Sequence, residues 1–128
     1  MPLVRIDTLK GRYNDSQREA IGEAIYQSLL EVGALPDDRF QIFSEKEPAQ
    51  LTYGASYLDI RRTQGFVAVQ ITLNAGRSLD DKKRLYAAIT ERMAISAGVR
   101  REDVFINLVE VPRENWSFGN GEAQYAKA

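Results

Sequence analysis

The residues that could do chemistry in this chain are few, and the second position is the first of them. Pro2 follows the initiator methionine, which cells generally remove before a small residue, so the expected mature chain presents a secondary amine. An α-amino group titrates nearer neutrality than a lysine, at about 7.7–8.0, and burial or a neighbouring arginine would lower a proline amine toward that range. A rigid amine at the head of a strand suits proton transfer, although a proline at this position commonly has no role. Arginines come next. Arg12 and Arg77 stand in Lys10-Gly11-Arg12 and Ala75-Gly76-Arg77, each between a short apolar run and a helical pattern. A guanidinium fork there, close to the positive end of a helix, makes a carboxylate binder. Asp38 and Asp103 each precede an apolar run; either would hold and activate water or cap a turn. Trp116 and Phe118, in Trp116-Ser117-Phe118-Gly119-Asn120-Gly121, would wall a small pocket, clasp a neighbouring subunit, or both.

Composition narrows what these groups can do. The chain has no cysteine and no histidine, which excludes disulfides, thiolate catalysis and cysteine or histidine metal sites. Acid–base work must come from carboxylates, tyrosines, lysines or the terminus. With 17 basic and 18 acidic residues the net charge is −1, so no field draws in nucleic acid or an anionic membrane. Arg61-Arg62 and Arg100-Arg101 lack interleaved aromatics and read as solvated loop charges. No phosphate-binding glycine loop, serine-elbow motif or metal-ligand spacing is present. No apolar run approaches a membrane span and the start lacks a signal-peptide core, so a cytoplasmic protein is expected.

The elements that must position these groups occur twice. Shifted by 65 residues, positions 4–45 align with 69–110 without a gap, with nine identities in 42 positions; composition alone gives about two or three. The identities include Gly11/Gly76, Arg12/Arg77, Gly33/Gly98, Asp38/Asp103 and Glu45/Glu110. Each unit reads as strand, helix, strand. In the first, Leu3–Thr8 is extended and Asp15 caps a helix whose stripe is Ala20, Ile21, Ala24, Ile25, Ser28, Leu29 and Val32. Gly33 ends that helix, and Arg39–Ser44 is the closing strand. In the second, Phe66–Leu73 precedes a Ser78/Asp81 cap, the stripe is Leu85, Ile89 and Met93, and Gly98 ends the helix before strand Val104–Val109. One domain is expected over 1–128: repeat 1 at about 2–45, linker 46–65, repeat 2 at about 66–110, tail 111–128. Within the linker, Tyr57–Ile60 is a candidate extra strand. The fold class is α/β, or α+β: a four-stranded, mostly parallel core sheet with both helices on one face. With Val4, Ile6, Val69 and Ile71 turned to the helices, Leu3, Arg5, Ala68, Gln70 and Thr72 lie on a bare face, which predicts cover by another subunit.

Together these features resemble the tautomerase superfamily, on Met1-Pro2-Leu3-Val4-Arg5-Ile6, Lys10-Gly11-Arg12 and the duplication. Within it the chain most resembles the malonate semialdehyde decarboxylase group, on Leu35-Pro36-Asp37-Asp38-Arg39-Phe40-Gln41, Gly76-Arg77-Ser78 and Asn115-Trp116-Ser117-Phe118-Gly119-Asn120-Gly121. The resemblance covers nearly the whole chain. It implies a barrel-like homotrimer, no cofactor, and a small oxo-acid substrate. It makes Pro2 the catalytic amine, Asp38 the group that activates water or orients substrate, Arg77 the carboxylate binder, and Trp116 and Phe118 an apolar wall. Where some of these decarboxylases carry a second arginine, two residues before the one matching Arg77, this chain has Ala75. The implied chemistry is decarboxylation or hydration of a 3-oxo or unsaturated acid; the alternatives are keto–enol tautomerisation of 2-oxo acids, or a ligand-binding homologue without catalysis.

Overall fold

A computed structural model describes residues 2–126. Strand β1 (Leu3–Leu9) leads through helix α1 (Asp15–Glu31) to β2 (Phe40–Lys46), and β3 (Val67–Asn74) leads through α2 (Leu79–Ala97) to β4 (Val104–Val111). Both crossovers join parallel neighbours, and the sheet order is β2-β1-β3-β4. Each helix and strand expected within the two units is present, with ends shifted by a residue or two. The first helix is capped by Asn14 in place of Asp15, through a reciprocal pair with Gln17, because Asn14 stands one residue outside the first turn and Asp15 inside it. Ser78 caps α2 by accepting from the Asp81 amide, and Gly98 ends it in the left-handed conformation, as read from the sequence.

The central pairing sets the function of everything else. The two units meet antiparallel, Leu3 opposite Thr72 and Thr8 opposite Val67. The sheet is therefore mixed, with two parallel pairs and one antiparallel pair at its middle. As a result the start of β1, the start of β2 and the ends of β3 and β4 share one end of the sheet. An all-parallel sheet would put Pro2 and Arg77 at opposite ends, about a full strand length apart.

Alternation divides the strands as expected. Val4, Ile6, Val67, Val69, Ile71 and Leu73 are buried against Ile21, Ile25 and Leu29 of α1 and Leu85, Ile89 and Met93 of α2. Each such side chain contributes about 1.5–3 kcal/mol, which fixes the register because a one-residue slip would expose the whole set. Gln70 donates to Asn107 across the opposite face at 3.0 Å. That face keeps Phe40, Ile42, Phe105 and Val109 between 38% and 49% exposed.

The linker differs from its reading at one point. Tyr57–Asp59 forms a single tight helical turn in place of the candidate strand at Tyr57–Ile60. Leu58 and Asp59 both have φ of 59°, which no strand accommodates. Arg62 holds the turn by donating to the carbonyls of Gly54, Tyr57 and Ile60. Among the described residues no helix is long and apolar enough to cross a membrane.

Candidate active site

Pro2 is buried immediately before β1, at the sheet end where β3 and β4 finish. Beside it opens a cleft of about 290 Å³ lined by Gly33, Leu35, Asp38, Asn74, Ala75, Gly76, Arg77, Arg113 and Tyr125. Met1, whose removal would expose the Pro2 amine, lies outside the described residues.

Asp38 reaches the cleft through a local turn. Its amide donates to the Leu35 carbonyl at 3.2 Å, with Pro36 second and Asp37 third at φ 68°. Proline presets the second position of such a turn, and a short polar residue tolerates the positive φ at the third. The turn leaves Asp38 only 8% exposed at the head of β2. Its repeat partner Asp103 accepts from the Thr63 amide at 2.7 Å and the Thr63 hydroxyl at 2.6 Å, and lies 3.4 Å from Arg100. The two equivalent carboxylates therefore part company: Asp103 ties down the linker at one end of the sheet, and Asp38 faces the cleft at the other.

The arginines divide in the same way. After β3 the chain turns at Gly76, whose φ of 121° favours glycine. Arg77 is half-buried and donates to the backbone carbonyls of Val32 and Asn74, each at 3.3 Å. Those bonds aim the guanidinium without neutralising it. Arg12 instead lies with the hydroxyl of Tyr13 beside Gly65, and Tyr13, a buried side chain, donates to the Gly65 carbonyl. Burial pushes the Tyr13 phenol above its ordinary range, with Arg12 opposing the shift.

Trp116 and Phe118 stand just behind the cleft. The Trp116 indole N–H donates to Asn74 at 2.8 Å, and its ring stacks on Phe118 at 5.6 Å. Phe118 meets Phe40 at 6.0 Å and Tyr125 edge-on at 4.9 Å. The tail thus packs across its own sheet end, from the end of β4 to the start of β2. Gly119, Asn120 and Gly121 all have positive φ, and the reversal they make is held by Gln124, which bonds the Phe118 amide and the Gly119 carbonyl. That reversal returns Tyr125 to the cleft. Burial, with the Asp38 carboxylate adding to it, raises the Tyr125 phenol above its usual range against the opposing Arg113 charge. Tyr125 therefore remains a hydroxyl donor across the physiological range.

Sequence reasoning missed Tyr125 and Arg113. The signal for Tyr125 was the Gly-Asn-Gly reversal before it; the signal for Arg113 was its place one repeat beyond Pro48. Among the described residues no cluster of three or more acidic side chains could hold a metal.

The family model described as "Tautomerase enzyme" matches residues 38–119. A probable tautomerase of Bacillus subtilis (strain 168), YusQ, is 38% identical over 125 residues, 97% of this chain and 98% of that protein. FG41 malonate semialdehyde decarboxylase inhibited by 3-bromopropiolate is 40% identical with a TM-score of 0.88, covering 96% of this chain and 93% of that one. A second malonate semialdehyde decarboxylase, described with decarboxylase and hydratase activities, is 27% identical with a TM-score of 0.89 over 96% of this chain and 95% of that one. The duplicated β-α-β fold and these matches together make the chain a member of the tautomerase family.

Proposed function

We propose that this chain is an amino-terminal-proline enzyme that decarboxylates a small 3-oxo acid or hydrates an unsaturated acid. The observation that carries the reading is that Pro2 starts β1 at the sheet end where Asp38 and Arg77 line a cleft of about 290 Å³. In decarboxylation the substrate carboxylate pairs with Arg77 and the cationic Pro2 amine hydrogen-bonds the carbonyl oxygen. The bond to the carboxyl carbon breaks, carbon dioxide leaves, and the electron pair passes to the enol oxygen, which takes the Pro2 proton. The enol then takes a proton from water at carbon and returns its hydroxyl proton to Pro2, leaving the carbonyl product and the cationic amine. In hydration Asp38 takes a proton from water, the oxygen adds to the β-carbon, and Pro2 delivers a proton to the α-carbon. Leu35 and Tyr125 give the cleft its apolar side, with the Trp116–Phe118 stack supporting Tyr125 and Asn74 from behind. No cofactor is needed for either route.

Keto–enol transfer in 2-oxo acids is the second reading, and the 38% identity to a protein named a probable tautomerase favours it. A neutral Pro2 would serve as the base there. A panel of 2-oxo, 3-oxo and unsaturated acids followed by NMR tests the proposal. Turnover of a 3-oxo or unsaturated acid supports it, exclusive turnover of 2-oxo acids transfers it to the second reading, and no turnover by protein of verified Met1-free mass sinks both.

The assembly expected with this reading is a homotrimer in the cytoplasm. Its physical support is the sheet face opposite the helices, where Phe40, Ile42, Phe105 and Val109 are each more than a third exposed. These residues lie on the two edge strands, and a face that exposes large apolar side chains at both edges calls for cover. Sedimentation equilibrium reads the outcome against a chain mass of 14.4 kDa; a monomer at micromolar concentration would refute it.

A further inference from the structure

Resting on that reading of the cleft, we infer that Arg113 is a second anion anchor and that the preferred ligand is a short-chain oxo acid with two carboxylates. Arg77 and Arg113 leave neighbouring parallel strands at matching points. The β3–β4 ladder pairs Asn74 with Val111, and the Ala75 amide donates to the Val111 carbonyl at 3.0 Å. Each arginine follows two residues after that last bond. The strands that release them therefore end about one strand spacing apart, near 4.8 Å, and both side chains line the same cleft.

The two guanidiniums are poised for an anion from outside the chain. Arg18, Arg39, Arg84, Arg92, Arg100 and Arg101 all sit in ion pairs. Among the described residues neither Arg77 nor Arg113 has a carboxylate within 4.0 Å. Glu110, the acidic group nearest Arg77 along β4, is engaged by Lys82 at 2.9 Å. Asp38 also faces the cleft and repels an entering anion, so one guanidinium offsets it and the second leaves the cleft net positive before the Pro2 amine is counted. A monocarboxylate satisfies one arginine; a diacid satisfies both through charge-assisted bonds.

The opposite end of the sheet shows that Arg113 is particular to this cleft. The 65-residue shift carries Gly76-Arg77 onto Gly11-Arg12 and Arg113 onto Pro48, and the cleft there is lined by Lys10, Gly11, Arg12 and Pro48. Lys10 is paired with Glu47 at 3.3 Å, and Arg12 lies against Gly65 and the Tyr13 hydroxyl. Where Arg113 adds a second cation to the Arg77 cleft, the opposite cleft has Pro48. The cleft volume, at the low end of ligand-site sizes, limits the diacid to a short chain.

The test uses unreactive probes, so that it reads binding apart from turnover. Succinate and butyrate share a four-carbon chain and differ in the second carboxylate. Calorimetry or chemical-shift titration of the intact protein should give succinate at least about tenfold tighter binding than butyrate, one charge-assisted anchor. Arg113→Ala should remove that advantage and leave butyrate within about twofold, while Arg113→Lys should restore part of it. Arg77→Ala should weaken both probes. Equal affinity for the two probes in the unaltered protein, or equal losses for both in Arg113→Ala, would overturn the inference. A diacid preference without turnover of any oxo acid would instead count against the enzymatic reading and leave this one standing. Arg113 is exposed, and an unchanged melting temperature would show that its variants fold.

Discussion

At one end of the sheet Gly76-Arg77 follows β3 beside Asp38, and at the other Gly11-Arg12 follows β1 beside Asp103. The backbone plan is the same at both ends. What separates them is the chain itself. The position equivalent to Pro2 is Val67, a fully buried residue within a continuous chain, so the amine that the proposed mechanism needs has no counterpart at the Arg12 end. The linker that runs into Val67 then occupies the second end: Thr63 takes both oxygens of Asp103, and Gly65 lies against Tyr13 and Arg12. A side chain at Gly65 would sit 2.9 Å from Asp103 Oδ2 and 3.0 Å from the Tyr13 hydroxyl. Duplication supplied two similar sheet ends, each with a cleft: linker residues Leu51, Tyr53 and Gln64 line the one beside Arg12, and Pro2 stands at the end of the one lined by Arg77 and Asp38.

That difference can be broken most severely at Pro2. Pro2→Ala should lower kcat on any accepted substrate by about 10²–10⁴-fold with the fold intact, the usual worth of a positioned acid–base group. Circular dichroism and steady-state kinetics on the same preparation check it, and full retained activity would remove Pro2 from the mechanism.

The paired arginines give the next largest contrast. Arg77→Ala should cost about 10- to 100-fold in kcat/KM on acidic substrates, the loss of one charge-assisted anchor. Arg12→Ala should leave kcat/KM within about twofold. The opposite ranking would assign the site to the wrong end of the sheet.

The paired aspartates sharpen the comparison by splitting activity from stability. Asp38→Asn should cut kcat about tenfold or more with little change in melting temperature, because the carboxylate works in the cleft. Asp103→Asn should destabilise the protein by about 1–3 kcal/mol, as buried donors lose their acceptor, with kcat little changed. Thermal melts and kinetics on both variants decide it.

The smallest effect is electrostatic. The Lys82 hydrogen bond is the main cause holding Glu110 below its usual range, joined by the Lys82 charge and the Gly76 amide. A carboxylate lowered in the folded state stabilises above its unfolded pKa, about 4.3. That contribution is complete above this pH and is lost as acid passes through the lowered value. The acid limb of melting temperature against pH should therefore be shallower in Lys82→Met.

Much of this was legible in the sequence because it depended on local patterns. The shift of 65 residues marked both units, Ser78 and Gly98 marked the ends of α2, and alternation assigned Val4 and Ile6 to the core. The way the two units meet was not legible. A β-α-β pattern fixes the parallel pairs inside a unit, but a linker of this length permits either sense of β1 against β3. The antiparallel choice is what carries Arg77 to Pro2. The strand expected at Tyr57–Ile60 failed because positive φ at Leu58 and Asp59 leaves no trace in residue type. Arg113 and Tyr125 lay outside the aligned stretch 69–110, and the residue one repeat before Arg113 is Pro48, which shares none of its chemistry.

The central claim is that a free Pro2 amine at the Arg77 end is the reactive group. Since 3-bromopropiolate inhibits a relative 40% identical to this chain, it serves as the probe, with intact-mass measurement and peptide mapping of the treated protein. The account predicts a chain lacking Met1 that carries a single adduct on Pro2, formed more slowly in Arg77→Ala and at an unchanged rate in Arg12→Ala. A Met1-free chain with Pro2 unmodified, or with its adduct on Lys10 at the opposite end, would contradict it.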